Sequence, residues 1–145
     1  MQQAKKGLTL IETMSVVGVI GILVTIAVMQ YGNYISRARA VDTVAELAPY
    51  KLAIEACYQN SGALANCNVG AFGVPAPLTS TNVKTLTLGN GILAGTSSAT
   101  TSSGVAMDFT YAPSPAVETP SLTWGMTGTI CDNSRGIRPG DGLCS

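Results

Sequence analysis

The chain contains no histidine, and only 11% of its 145 residues are charged, against roughly a quarter in an average soluble domain. Without histidine there is no His-centred catalytic triad, no His zinc ligand and no imidazole switch near neutral pH. The 8 Lys+Arg balance the 8 Asp+Glu, so no excess positive charge draws nucleic acid to the chain as a whole. The N-x-S/T glycosylation signal is also missing. What is abundant is apolar: 46% of residues, too many for an intrinsically disordered chain. The length suits one domain, or one domain with an appendage. The few charges are unevenly placed, and none falls between Glu12 and Arg37.

Thr13 to Ser36 is a run of 24 uncharged residues, nearly all apolar as far as Met29. At ~1.5 Å per residue a helix of that length reaches ~36 Å, enough to cross a ~30 Å hydrocarbon layer. Lys5 and Lys6 precede the run and Arg37 and Arg39 follow it, so flanking charge alone leaves the orientation balanced. The short N-terminal stub places that end on the cytoplasmic side. A secretory signal cleaved after its apolar stretch does not fit: such stretches run ~7–15 residues and end in small residues. Two readings remain, a permanent single-span anchor and a basic stub, Met1–Gly7, removed ahead of the helix.

Glu12 separates them. An acid just inside an apolar segment costs a few kcal/mol and either sits solvated at headgroup level or has a partner. Cleavage after Gly7 would supply one, the new α-amine of Leu8, four residues away. The amine of one copy meeting Glu12 of another would fix axial register, as buried polar groups do in coiled coils.

The stretch K-K-G-L-T-L-I-E, then V-V-G-V-I-G-I-L-V-T-I-A-V and Y-G-N-Y-I-S-R-A-R-A, resembles the N-terminus of a type IV pilin, of the IVa-like major kind with a short basic leader. The likeness covers residues 5–48. It implies a leader, 1–7, cut between Gly7 and Leu8 by a prepilin peptidase that also N-methylates Leu8, and an assembly role for Glu12. The next segment, 8–36, would be a transmembrane helix that becomes filament core. The rest, 37–145, would be a periplasmic and then extracellular head. Two positions depart from the family pattern. Leu8 stands where Phe is usual, and Met29 where a proline is usual, which removes the kink a mid-helix proline brings. Gly18 and Gly21 still weaken this half by up to ~1 kcal/mol each relative to Ala and allow close helix approach.

Beyond Met29 the apolar residues Tyr34, Ala38, Val41, Ala45, Ala48 and Leu52 recur at steps of four and three, one face of a continuing helix that also packs on a sheet. Asp42 and Glu46 form an acidic i,i+4 pair. Pro49 should bend the helix, and Gly62 should stop it. Residues 64–83 read as a loop rich in Gly, Pro and Asn. Val83–Leu88 before Gly89-Asn90-Gly91, Val105–Tyr111 and Leu122–Thr127 read as strands, the last continuing to Ile130. The expected fold is α+β: a long N-terminal helix on an antiparallel sheet of three to four strands, in agreement with the pilin likeness. Thr96–Gly104 reads as an exposed low-complexity loop with candidate hydroxyl glycosylation. The resemblance makes Ser145 a further candidate glycan site.

Four cysteines, Cys57, Cys67, Cys131 and Cys144, lie in a chain read as exported, and an even count there indicates two disulfides. None forms C-x-x-C, so no zinc site is indicated. Three pairings exist, and the local one, Cys57–Cys67 with Cys131–Cys144, is preferred. The second would close a loop resembling the C-terminal disulfide loop of pilins. In it Arg135 and Arg138 are candidate surface contacts for acidic groups, or else are solvated or paired with Asp132, Asp141 or a neighbouring copy. Asp132 and Asp141 lack EF-hand spacing, and no metal or cofactor is expected.

Nothing pairs a nucleophile with a base, and no glycine loop cradles phosphate, so the sequence does not indicate an enzyme. A structural reading leads: a pilus subunit that polymerises with itself, starting from the bacterial inner membrane and ending in an extracellular fimbrium. The prepilin peptidase and assembly machinery would be its partners. Family roles in adhesion, twitching motility and DNA uptake would add host surfaces, DNA or phage. The alternatives are a type II secretion pseudopilin, a minor pilin, or a binding module on a fixed anchor. Loss of Met1–Gly7 would remove two lysines, leaving 6 positive (8 − 2) and 8 negative side chains.

Overall fold

A computed structural model describes residues 7–115 and 121–144, so leader positions 1–6 and Ser145 lie outside the described residues. The chain divides into two units, one up to Gly32 and one from Asn33. A single helix, α1 (Leu10–Ser61), contributes to both.

In the first unit, Thr9 and Glu12 form a capping box. The Thr9 N–H and hydroxyl donate to Glu12 Oε2 at 2.7 and 2.8 Å, and the Glu12 N–H donates back to Thr9 Oγ1 at 3.4 Å. The helix then rises through β-branched and aliphatic residues. Its hydroxyls turn back on the helix itself: Thr13 donates to the Leu10 carbonyl at 2.7 Å, Ser15 to Glu12 at 2.9 Å and Thr25 to Ile22 at 2.7 Å. Each thereby satisfies its polar hydrogen within an apolar stretch. Intramolecular packing buries none of that stretch.

The second unit carries the rest of α1 and a four-stranded sheet of β1 (Val83–Gly89), β2 (Ile92–Thr100), β3 (Ala106–Pro115) and β4 (Leu122–Thr127). The strands lie in sequence order and every neighbouring pair is antiparallel. At the β1–β2 turn Asn90 and Gly91 both take positive φ, 53° and 74°, which suits a two-residue hairpin. At Gly95 a Cβ would lie 1.9 Å from the Thr85 carbonyl oxygen, so only glycine passes beside the irregularity between Val83 and Thr85. Phe109, Leu93, Met107, Met126 and Ile130 from the sheet side meet Ala40, Leu47, Tyr50 and Ile54 from α1 in one core.

Two expectations change. The helix face packed on the sheet is not the predicted one. Ser36, Ala40, Thr43, Leu47, Tyr50, Ile54 and Cys57 are buried, while Tyr34, Val41 and Leu52 remain 71%, 55% and 65% exposed. Two polar residues on the buried face are satisfied by β2: Ser36 Oγ donates to the Thr100 carbonyl at 2.8 Å, and Thr43 Oγ1 bonds Ser97 Oγ at 2.7 Å. Second, Thr96–Thr100 is strand, not loop. Its alternation buries Ser97 and Ala99, and only Thr101–Val105 makes the turn. As expected, α1 runs on through Pro49. That residue is exposed, so water reaches the helix where its missing N–H leaves a carbonyl without a partner. Helix termination follows expectation, with Gly62 at φ 71° and its N–H on the Tyr58 carbonyl at 2.8 Å.

Candidate functional site

Every large apolar residue of the stem faces outward: Leu8, Leu10, Ile11, Val17, Ile20, Leu23, Ile26 and Met29 among them are 52–79% exposed. Water would not tolerate so long an uninterrupted apolar surface, which marks a membrane or a partner. The single acid at its start, Glu12, is held by Thr9. Sequence reasoning assigned Glu12 an intermolecular partner and missed this local one, although T-x-x-E ahead of an apolar run was legible. Gly7 and Leu8 precede α1, exposed and outside regular structure.

The stripe Tyr34, Ala38, Val41, Ala45, Ala48 and Leu52, exposed except at half-buried Ala38, keeps strict steps of four and three. In the sequence the same spacing continues back through Tyr31, Ala27, Val24, Ile20 and Val17. Residues so spaced form one continuous face of a helix. The buried stripe carries the same period on another side of α1, so this half of the helix is apolar on two faces, only one of which the head covers.

The structure joins Cys57 to Cys67, Cα atoms 5.8 Å apart, and Cys131 to Cys144 at 5.7 Å. The first bridge ties the last turns of α1 to the loop that receives the hairpin turn, where the Gly91 N–H donates to the Cys67 carbonyl at 2.9 Å. The second holds the C-terminal segment to β4, with the Met126 N–H on the Leu143 carbonyl at 2.7 Å.

Inside that second loop Asp132 organises the backbone. Its Oδ1 accepts from the Arg135 N–H at 2.6 Å, the Ser134 N–H at 2.9 Å and the Ser134 hydroxyl at 2.7 Å. These donors hold its carboxyl below the ordinary carboxylate range, the Arg135 N–H most of all. Asp108 is lowered in the same way by the Thr129 hydroxyl. Burial, followed by the charge of Glu55, raises the Tyr111 phenol. Arg135 sends its guanidinium to Thr100 Oγ1 at 3.5 Å, while Arg138 stays exposed. At the sheet's far edge Trp124 Nε1 donates to Glu55 at 2.8 Å and the ring packs against Tyr111, tilted by 37° with centroids 4.7 Å apart. Among the described residues no cluster of His, Cys, Asp or Glu could hold a metal ion.

A long N-terminal helix on a four-stranded antiparallel meander, closed by a C-terminal disulfide, is the type IV pilin fold. The chain matches the solution structure of the major type IV pilin PpdD from enterohemorrhagic Escherichia coli with a TM-score of 0.55 and 23% identity, over 77% of this chain and 93% of that one. In sequence it is 36% identical over 89 residues to prepilin peptidase-dependent protein D of Escherichia coli K12, covering 61% of each chain. It is 41% identical over 73 residues to type IV major fimbrial protein FimA of Dichelobacter nodosus, covering 50% of this chain and 47% of that protein. Fimbrial protein Q of Moraxella bovis is 49% identical over 53 residues. The matches thus span between about a third and three fifths of these curated relatives. No family model matches the chain. In sequence the likeness to type IV pilins covers half to three fifths of the chain in the longer matches, and in fold it covers most of it.

Proposed function

We propose that the chain is a structural subunit of a type IV pilus, not an enzyme. One observation carries this reading: an uncharged helix, exposed over its whole apolar length, begins at a single acid and continues into a folded head whose own helix keeps a second apolar face uncovered. In the precursor, lipid covers the segment 8–36. A peptidase then cuts after Gly7, Leu8 becomes the N-methylated terminus, and copies exchange lipid for one another's helices. The head is 37–145, on the far side of the inner membrane first and on the fimbrium afterwards. Contacts that repeat head to tail without closing give a filament.

The capping box gives Glu12 two states. In the membrane its carboxylate is satisfied by Thr9, at little cost. In the filament the methylated amine of a neighbouring Leu8 competes for it, and a charged pair in an apolar setting far outweighs a hydroxyl. Glu12→Gln keeps an acceptor for Thr9 and removes the charge. It should leave the protein in the membrane at normal level and abolish surface filaments, read by membrane fractionation beside electron microscopy of sheared material. Wild-type filaments from Glu12→Gln would sink the proposed pairing. N-terminal sequencing that finds Met1–Gly7 retained on mature protein would replace the filament by a fixed anchor.

A further inference from the structure

Asn90 is the only asparagine in the chain that glycine follows. The pair makes the two-residue β1–β2 turn, with φ of 53° and 74°, and turn chemistry favours these two residues there. Packing also refuses a substitute for Gly91, since a Cβ would lie 3.0 Å from Leu64 Cδ2 and 3.4 Å from Ile54 Cγ2. Asparagine is among the thermolabile residues, and a following glycine makes it most so. A glycine nitrogen has no neighbouring side chain to hinder its attack on the asparagine amide.

The head withholds what this attack needs. The nitrogen must lose its proton and turn toward Asn90 Cγ. Asn90 is exposed, but Gly91 is buried, and its N–H donates to the Cys67 carbonyl at 2.9 Å. The Asn90 N–H donates to Asn68 Oδ1, also at 2.9 Å. Both acceptors lie in one short stretch, 67–68. Asn68 is steadied by its own Nδ2, which donates to the Ala65 carbonyl at 2.9 Å. The single turn before it, Leu64–Asn66, buries no residue fully. What joins this stretch covalently to α1 is the Cys57–Cys67 bridge, packed with Val74. A turn clamped from so small a segment opens locally at less cost than the sheet beside it.

We propose that Asn90 is a latent deamidation site, silent while the Cys57–Cys67 bridge holds 67–68 against the turn and released when that bridge is open. Hydroxide takes the Gly91 amide proton, and the nitrogen bonds to Asn90 Cγ. The Cγ–Nδ2 bond breaks, the leaving nitrogen takes a proton from water, and ammonia departs from a succinimide. Water then adds to one of the two ring carbonyls, and the bond from that carbon to the Gly91 nitrogen breaks. Opening at Cγ leaves aspartate, and opening at the backbone carbonyl leaves isoaspartate. No oxidant or reductant takes part. Aspartate suits a left-handed turn position as asparagine does. Isoaspartate adds a methylene to the main chain between Gly89 and Ile92, which pair across the hairpin. A two-residue turn no longer fits there, and the opening becomes permanent. The site thus records an opened bridge as a negative charge at the hairpin tip. It concerns the head alone and does not rest on the pilus reading.

The test holds the full chain in detergent at mildly alkaline pH and follows the peptide containing 90–91 by mass spectrometry, with isoaspartate told from aspartate by electron-transfer fragmentation. Wild type in denaturant gives the unshielded rate, which should be the fastest. Cys57→Ser with Cys67→Ser should raise the folded rate about thirtyfold, the worth of two ordinary hydrogen bonds. Cys131→Ser with Cys144→Ser should leave it near that of wild type. Asn68→Ala keeps both bridges, removes one clamp and should raise it about fivefold. Conversion in folded wild type as fast as in denaturant overturns the proposal, because nothing is then withheld. Equal rates in wild type and the Cys57→Ser/Cys67→Ser variant overturn it, as do equal rates in the two bridge variants, which would make unfolding of the whole head the gate. Should the Cys57→Ser/Cys67→Ser head fail to fold, shown by the rate of denatured protein, Asn68→Ala decides alone. A rate unchanged from wild type there removes the clamp and overturns the site.

Discussion

Thr43 and Ser97 share a fully buried hydroxyl contact of 2.7 Å between α1 and β2, and Thr43 Oγ1 also reaches the Arg39 and Asn82 carbonyls at 2.8 and 3.1 Å. A hydroxyl so surrounded is satisfied, and replacing it by a methyl strands its neighbours. Thr43→Val, nearly equal in shape, should lower head stability by about 1–3 kcal/mol, measured as a shift in denaturant midpoint at unchanged slope. Asp132 gives a pH-dependent counterpart. Its folded pKa lies below its ordinary 3.8 because backbone and hydroxyl donors favour the anion. A depressed carboxyl contributes stability above its unfolded pKa, and that contribution is lost as pH falls through the folded one. Asp132→Asn keeps an oxygen acceptor and removes the titration. Its stability-against-pH curve should therefore be flatter than wild type below about pH 4 and parallel to it above about pH 5, read by thermal melting across that range. A variant curve as steep as wild type throughout would remove Asp132 from the acid response.

At the scale of elements, α1 shows what the sequence discloses and what it hides. The apolar run, its bounding Glu12, the stop at Gly62 and the strands β1, β3 and β4 are all legible, because each depends on local chemistry: length without charge, a φ only glycine takes readily, or alternation along a strand. The packing face is not. Two stripes on α1 share the same period, and the one holding Ala38, Val41, Ala45 and Leu52 looks more apolar than the one holding Ser36 and Thr43. Burial went to the second because β2 supplies partners for its hydroxyls, a fact carried by a segment some sixty residues away. The same blindness made Thr96–Thr100 a loop: serines and threonines read as solvent-facing until Ser97 and Ala99 are seen inside. Adjacent substitutions should separate the two faces. Leu47→Ala, in the core, should cost about 2–5 kcal/mol of head stability. Ala48→Asp, exposed, should leave melting within about 0.5 kcal/mol yet prevent filaments, since it puts a charge on the face that a neighbouring helix covers in the proposed assembly. Normal filaments from Ala48→Asp would confine assembly to the stem.

For the whole molecule the balance of forces differs between its two units. The stem has no core of its own, and lipid or other copies must supply its environment. The head has a core, but a small one, and two loops that bury little: the segment after α1 and the C-terminal segment of three glycines, a proline and two arginines between Cys131 and Cys144. Chain entropy works against both, and each is closed by a local disulfide with sequence separations of 10 and 13. In the chain-entropy account a loop of the larger size gains about 3 kcal/mol, a sizeable part of a small domain's total stability. Cys144→Ser should therefore lower the head's denaturation midpoint by an amount of that order. The loss should be local as well as global. Exchange protection should fall at the Met126 amide, whose acceptor is the Leu143 carbonyl, and across 131–143, while the Gly91 amide bonded to Cys67 keeps its protection. Cys67→Ser should do the reverse, loosening the β1–β2 turn and leaving Met126 protected. If either variant loosens both regions equally, the two bridges do not act as separate clamps, and the head unfolds as one unit around the Leu47–Phe109 core.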